Sequence, residues 1–306
     1  MKKNDGNKSK LSSKFNWRPL PLYELISYVF MFASVPMLAY GIINYNMKEL
    51  ISTLYVIIAL YSGFFAALIW NDITDSDIDS IVHPDRPIPS GKIKTKIFFL
   101  IAIIFSFIAF VFSYLISIWC FILVGIAALF VTFHNKYLKR KITIPAYSEI
   151  FTPLQWVIVP IFGFFAVNNF NFLPIILLIF FTYFSDNSHD LPEGIHDKEG
   201  DNRYKVKTYA TTFGERITAK FTFIMVAISG IFGFALYFFT NLSLVYLISF
   251  LVLWIYILIE NYKFSKSKDI KKQCTGIGRK NFNYFLFSYD LIFIDLLIQL
   301  IYAKYF

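Results

Sequence analysis

Charge is the scarcest property of this chain. Asp, Glu, Lys and Arg make up 16% of its 306 residues, against 57% apolar and 20% aromatic residues and a mean hydropathy of +0.57. That is too little polar surface to cover a water-soluble globule of this length, so an integral membrane protein is expected. Cysteine is nearly absent. Cys120 and Cys274 fall on different elements with no metal-ligand or redox spacing, which excludes a disulfide framework and a thiolate metal site. No linker and no fixed-period repeat interrupts the chain, which excludes a solenoid and favours one membrane domain over residues 21–306 behind a disordered basic tail, 1–20. The start, Met1-Lys2-Lys3, is not read as a signal peptide, because the first apolar run comes late and is too long for one.

Long apolar runs are abundant. A helical span needs roughly 20 mostly apolar residues, and runs of that kind recur near 22–43, 51–70, 97–115, 117–134, 144–166, 171–186, 217–239, 243–261 and 283–303. An all-α integral membrane protein of about nine transmembrane helices around a central cavity is therefore expected, with Pro145, Pro153, Pro160 and Pro174 interrupting the fifth and sixth runs. The net charge of +9 does not point to nucleic acid, because the basic residues sort by loop. Segments 1–20, 71–97, 135–143, 185–220 and 262–281 hold 27 of the 29 Lys and Arg residues. With nine spans these segments share one face, which the positive-inside rule makes cytoplasmic, and the C-terminus lies opposite.

Two acidic loops are expected to cap the cavity on that face. The windows 72–85 and 186–201 contain 11 of the 20 acidic residues. In the first, Asn71, Asp75 and Asp79 recur every four residues and share one edge if the helix continues, with Asp72 beside them. In the second, Glu193, Asp197 and Asp201 repeat the spacing. Solvated loops also carry acids, but two with matching spacing on one face suit a hard cation such as Mg²⁺, which binds a few carboxylates together with phosphate oxygens. A diphosphate also needs cationic side chains, and Arg supplies paired donors. Arg86, Lys92, Lys139, Arg140, Arg203 and Lys207 lie on the same face. Arg86, held between Asp85 and Pro87, and Lys139, at the end of the fourth span, stand out by position. Glu149, an acid inside a span, is a candidate acceptor contact. Asp290 and Asp295 are expected to hold interhelical hydrogen bonds.

These residues resemble the UbiA superfamily of intramembrane prenyltransferases over essentially the whole chain. Asn71, Asp72, Asp75 and Asp79 match its NDxxDxxxD motif after the second helix. Asp197 and Asp201 match its DxxxD motif after the sixth, with Glu193 one turn earlier. Pro84-Asp85-Arg86-Pro87-Ile88-Pro89-Ser90-Gly91 is similar to the digeranylgeranylglyceryl phosphate synthase and chlorophyll synthase branches, although the stretch around Asp190-Leu191-Pro192-Glu193-Gly194 differs from both. The family often has a Tyr four residues before the Lys matched by Lys139. Here that position is Asn135, preceded by His134, and either can donate to phosphate.

The resemblance implies Mg²⁺-dependent transfer of a prenyl group from an allylic polyprenyl diphosphate to a small lipophilic or aromatic acceptor. It implies metal ligands Asn71, Asp75, Asp79, Glu193, Asp197 and Asp201, a catalytic set that adds Asp72, and diphosphate contacts from Arg86, Lys139, Arg203, Asn135 and His134. The partners expected are the donor, the acceptor and membrane lipid, with no nucleic acid and no obligatory protein. A terpene cyclase using the same site, and a divalent-cation transporter with an acidic vestibule, are the alternatives.

Overall fold

The structure is a computed structural model that describes residues 20–41, 45–169 and 171–305. The tail expected over 1–20 lies, but for its last residue, outside them. Helices account for all the regular structure among the described residues: α1 (Leu22–Tyr40), α2 (Met47–Thr74), α3 (Ser76–Val82), α4 (Thr95–Ile116), α5 (Ile118–Lys141), α6 (Tyr147–Ala166), α7 (Phe172–Arg203), α8 (Tyr209–Phe213), α9 (Glu215–Phe239), α10 (Leu244–Lys266) and α11 (Ile270–Tyr305).

Eight of these are long and apolar enough to cross a membrane, against about nine expected. The difference is α7. It is apolar from Phe172 to Phe184 and polar from Ser185 onward, so the run expected over 171–186 is the first half of a 32-residue helix. A second difference concerns the acidic segments, which are helical rather than loops. The ladder of α2 carries on through Asp75, whose N–H reaches Asn71 O at 2.9 Å, while Asp79 N–H reaches Asp75 O at 2.9 Å. The second acidic segment is the interior of α7 itself.

Proline explains how α7 is fastened. Pro192 lies inside the helix and has no N–H for the carbonyl of Ser188, four residues earlier. Asn281 of α11 fills the gap, donating through Nδ2 to Ser188 O at 2.7 Å. The same amide group also reaches Asn261 of α10. All three residues are buried, so three helices meet at one hydrogen-bonded point beside the second acidic segment.

The main core gathers side chains from α1, α2, α5, α6, α7, α9, α10 and α11, with Phe162, Leu178, Phe250 and Phe285 fully buried. The acids in the last helix hold neighbouring elements, as expected. Asp295 accepts from the backbone N–H of Ser243, the N-cap of α10, at 2.9 Å. Asp290 accepts from Ser27 Oγ of α1 at 2.6 Å.

Candidate active site at the polar end of the bundle

A cavity of about 690 Å³ opens between these helices. Asn71, Asp75 and Asp79 on one wall and Glu193, Asp197 and Asp201 on another line it, with Arg86, Asn135, Lys139 and Glu149. The two acidic segments, more than a hundred residues apart in sequence, therefore share one space. Gly200 sets their separation: a Cβ there would lie 3.2 Å from Ile78 Cγ2 and 3.2 Å from Val82 Cγ1, so α3 packs directly on the backbone of α7.

The first segment is heavily paired. Lys139 Nζ donates to Asp75 Oδ2 at 2.9 Å, and Arg86 Nη1 to Asp79 Oδ1 at 2.5 Å. Arg140 grips Asp77 with both Nη atoms at 2.7 Å and donates to Thr74 O at 2.9 Å, which draws Asp77 below the usual carboxylate range. Burial raises Asp79 despite Arg86 beside it. A π-helical turn, His134–Leu138, immediately precedes Lys139. Such turns insert an extra residue into the helical register and recur at functional sites.

Asp75 and Asp79 each keep one buried oxygen that accepts no hydrogen bond, with Arg140 Nη2 3.7 Å from that of Asp75. Asp75 and Asp79 are 4% and 3% exposed, and Asp75 Oδ1 and Asp79 Oδ2 are buried without a hydrogen-bond partner. An orphaned carboxylate oxygen is costly unless something fills it. A hard divalent cation with oxygen ligands fits that donor set. Opposite, burial pushes the Asp201 carboxyl up to about 7, with Lys139 pulling it down and Asp197 and Asp75 adding to the rise. Asp197 differs: burial pushes it up, but hydrogen bonds from His83 and His196 outweigh that and hold it low.

Three expected site residues lie off the cavity lining. Arg203 sits two residues past Asp201, roughly 200° round the helix, and is exposed. Asp72 falls one position off the Asn71, Asp75 and Asp79 edge and is buried at 2% exposure. His134 is fully buried between the rings of Phe130 and Tyr147, at 5.5 and 5.6 Å. Glu149 does reach the cavity. It is 4% exposed, accepts from Tyr209 N–H, and leaves Oε1 unpartnered. Gly194 is what lets it fit, because a Cβ there would collide with that Oε1.

The sequence reading missed Asp186, His189 and Asp190, which line the same cavity. Their signal was present: positions 186, 190, 193, 197 and 201 continue one stripe backward at helical spacing, hidden by treating the segment as a loop. Glu24, in an ion pair with Arg279, was also missed. The inner walls are aromatic. Tyr28 stacks on Trp156 at 5.8 Å and 5°, and lies 4.4 Å from Phe64.

Comparison with known proteins identifies the family and the fold. The family model for the UbiA prenyltransferase family matches residues 27–285. The chain is 30% identical over 217 residues to the digeranylgeranylglyceryl phosphate synthase of Methanosphaera stadtmanae, covering 68% of this chain and 74% of that protein. It is 29% identical over 200 residues to the enzyme of the same name from Saccharolobus solfataricus, covering 64% and 70%. Among solved structures, the fold matches an apo UbiA homologue from Aeropyrum pernix K1 with TM-score 0.69 at 15% identity, covering 92% of this chain and 99% of that one. It also matches a UbiA homologue from Archaeoglobus fulgidus bound to DMAPP and Mg²⁺, with TM-score 0.56 at 15% identity, covering 88% and 96%. Two acidic helix segments meeting over one aromatic-walled cavity, with a family match across most of the sequence, make one assignment: this chain belongs to the UbiA prenyltransferase family and is an integral, multi-pass membrane prenyltransferase.

Proposed function

We propose that the chain transfers a prenyl group from an allylic polyprenyl diphosphate to a lipophilic or aromatic acceptor carrying a hydroxyl, with Mg²⁺ held between the two acidic segments. One observation carries this reading: Asp75 and Asp79, each with a buried oxygen that accepts no hydrogen bond, line the same cavity as Asp197 and Asp201. Mg²⁺ bound in the Archaeoglobus fulgidus homologue supports the choice of metal. DMAPP and GPP bound in structures of that homologue support a prenyl diphosphate donor.

Asn71, Asp75, Asp79, Asp197 and Asp201 would hold the metal, with Glu193 at the mouth. When bound, Mg²⁺ supplies charge neutralisation at the departing diphosphate. Lys139 and Arg86 lie within reach to exchange their carboxylate partners for diphosphate oxygens as the donor enters, and the buried Asn135 offers an unpartnered Nδ2 beside them. The charged end of the donor rests at the polar helix segments and its chain runs between the aromatic walls. Tyr28, Trp156 and Phe64 line the cavity, where aromatic rings favour an allylic cation and exclude the water that would quench it. Glu149 Oε1 accepts the hydrogen bond of the acceptor hydroxyl. The clustered Lys and Arg residues support a cytoplasmic location for the acidic segments and the N-terminus.

Incubation of membranes holding the chain with labelled prenyl diphosphates of several lengths, Mg²⁺ and a lipid extract, followed by mass spectrometry, tests the reading. A prenylated acceptor is expected. A cyclised hydrocarbon formed without any acceptor would replace transfer by cyclisation, and metal flux without any donor would replace it by transport.

A further inference from the structure

Two histidines flank the cavity mouth without entering its lining. His83 caps the C-terminus of α3, and His196 stands on α7 next to Asp197. His83 Nε2 lies 3.2 Å from Asp197 Oδ1, and His196 Nδ1 lies 2.7 Å from the same oxygen. The two rings stack with centroids 5.4 Å apart at 22°. One ligand atom from each of the three residues falls within 4.8 Å of the other two.

We propose that His83, His196 and Asp197 form a second metal site, selective for a borderline divalent cation of the Zn²⁺ type, which shares Asp197 with the oxygen-only set of the diphosphate site. Donor chemistry separates the two. Imidazole nitrogen suits Zn²⁺, Ni²⁺ or Cu²⁺, whereas Mg²⁺ takes oxygen.

The two spacings to Asp197 fit as well. Tetrahedral Zn²⁺, with bonds of about 2.0–2.2 Å, spaces its ligand atoms roughly 3.3 Å apart. His83 already meets that spacing against Asp197. His196 must move out by roughly half an ångström to reach the same edge length, and its side chain, 42% exposed, has room to do so. The side chains of His83 and Asp197 are 28% and 27% exposed, which leaves the fourth position open to water.

The site joins α3, which carries Asp79, to α7, which carries the second acidic segment. An ion there ties them together and engages one oxygen of Asp197. Slower Mg²⁺-supported turnover would follow, a consequence that rests on the proposed role of Asp197. The binding itself does not.

The test uses the full chain in lipid nanodiscs with millimolar Mg²⁺ present throughout. Zn²⁺ is titrated against a competing indicator, and the melting temperature is followed in parallel. One tight Zn²⁺ equivalent and a Zn²⁺-dependent rise in Tm are expected for the wild type. Losing an outer-shell partner weakens metal sites roughly 10–100-fold, so His83→Gln combined with His196→Gln, which removes two direct ligands, should weaken binding at least that much and abolish the Tm rise. Equal Zn²⁺ affinity in the double variant overturns the proposal, as does full displacement of Zn²⁺ by excess Mg²⁺. A wild-type chain that binds Zn²⁺ as expected yet never releases diphosphate would instead count against the prenyl-transfer reading.

Discussion

Gly200 is the residue on which the meeting of the two acidic segments depends. Its absent Cβ would sit 3.2 Å from both Ile78 Cγ2 and Val82 Cγ1, and 3.7 Å from Val82 Cγ2. Gly200→Ala asks the neighbours to give by a few tenths of an ångström, and the helix propensity gained, about 1 kcal/mol, offsets most of that. Gly200→Val adds two methyl groups beyond the Cβ, and α3 has to retreat by on the order of 1 Å, an overpacking cost of about 1–3 kcal/mol. Displacements of about 1 Å at a reacting site cost roughly 100-fold in rate. Diphosphate release from an allylic donor, measured in nanodiscs with saturating Mg²⁺, should therefore fall by about two orders of magnitude in Gly200→Val. Gly200→Ala should stay within severalfold of the wild type. Wild-type turnover in Gly200→Val would refute the claim that α3 and α7 must touch for the site to form.

Other substitutions probe separate links. Asn281→Ala strips the carbonyl of Ser188 of its donor and should cost about 1–3 kcal/mol in thermal unfolding; adding Pro192→Ala, which restores an N–H for that carbonyl, should recover part of the loss, and strictly additive losses would contradict the pairing. Glu149→Gln should raise KM for the acceptor while leaving Mg²⁺-dependent binding of the donor unchanged, as read by isothermal titration. Chelation by EDTA should stop turnover, and Mg²⁺ should restore it.

The spans were legible from run length and the acidic edges from their period. Apolar runs report burial in lipid directly, and spacing of four reports a helix face. The sorting of basic residues depended on the same segmentation. What stayed hidden was whether a polar run continues a helix. Asp, Asn, Ser and Gly after an apolar stretch read as a loop, yet α7 runs unbroken through Asp186 to Arg203, because the cost of Pro192 is met by Asn281, a residue that only the fold brings near. Once that continuity is known, Asp186, His189 and Asp190 fall into the stripe and Arg203 falls off it. Both thiols are buried and free, Cys120 in α5 and Cys274 in α11, where the sequence suggests a loop. The burial of His134 between two rings followed from tertiary packing, which its neighbours in sequence do not encode.

The most direct test of the central claim is diphosphate release by the purified chain from an allylic prenyl diphosphate, with and without Mg²⁺, compared among the wild type, Asp75→Ala and Asp197→Ala. Release that requires Mg²⁺ and falls roughly 100-fold or more in each variant is the expected result. Release that proceeds without a divalent cation, or survives unchanged in either variant, would contradict a metal-held diphosphate between the two acidic segments.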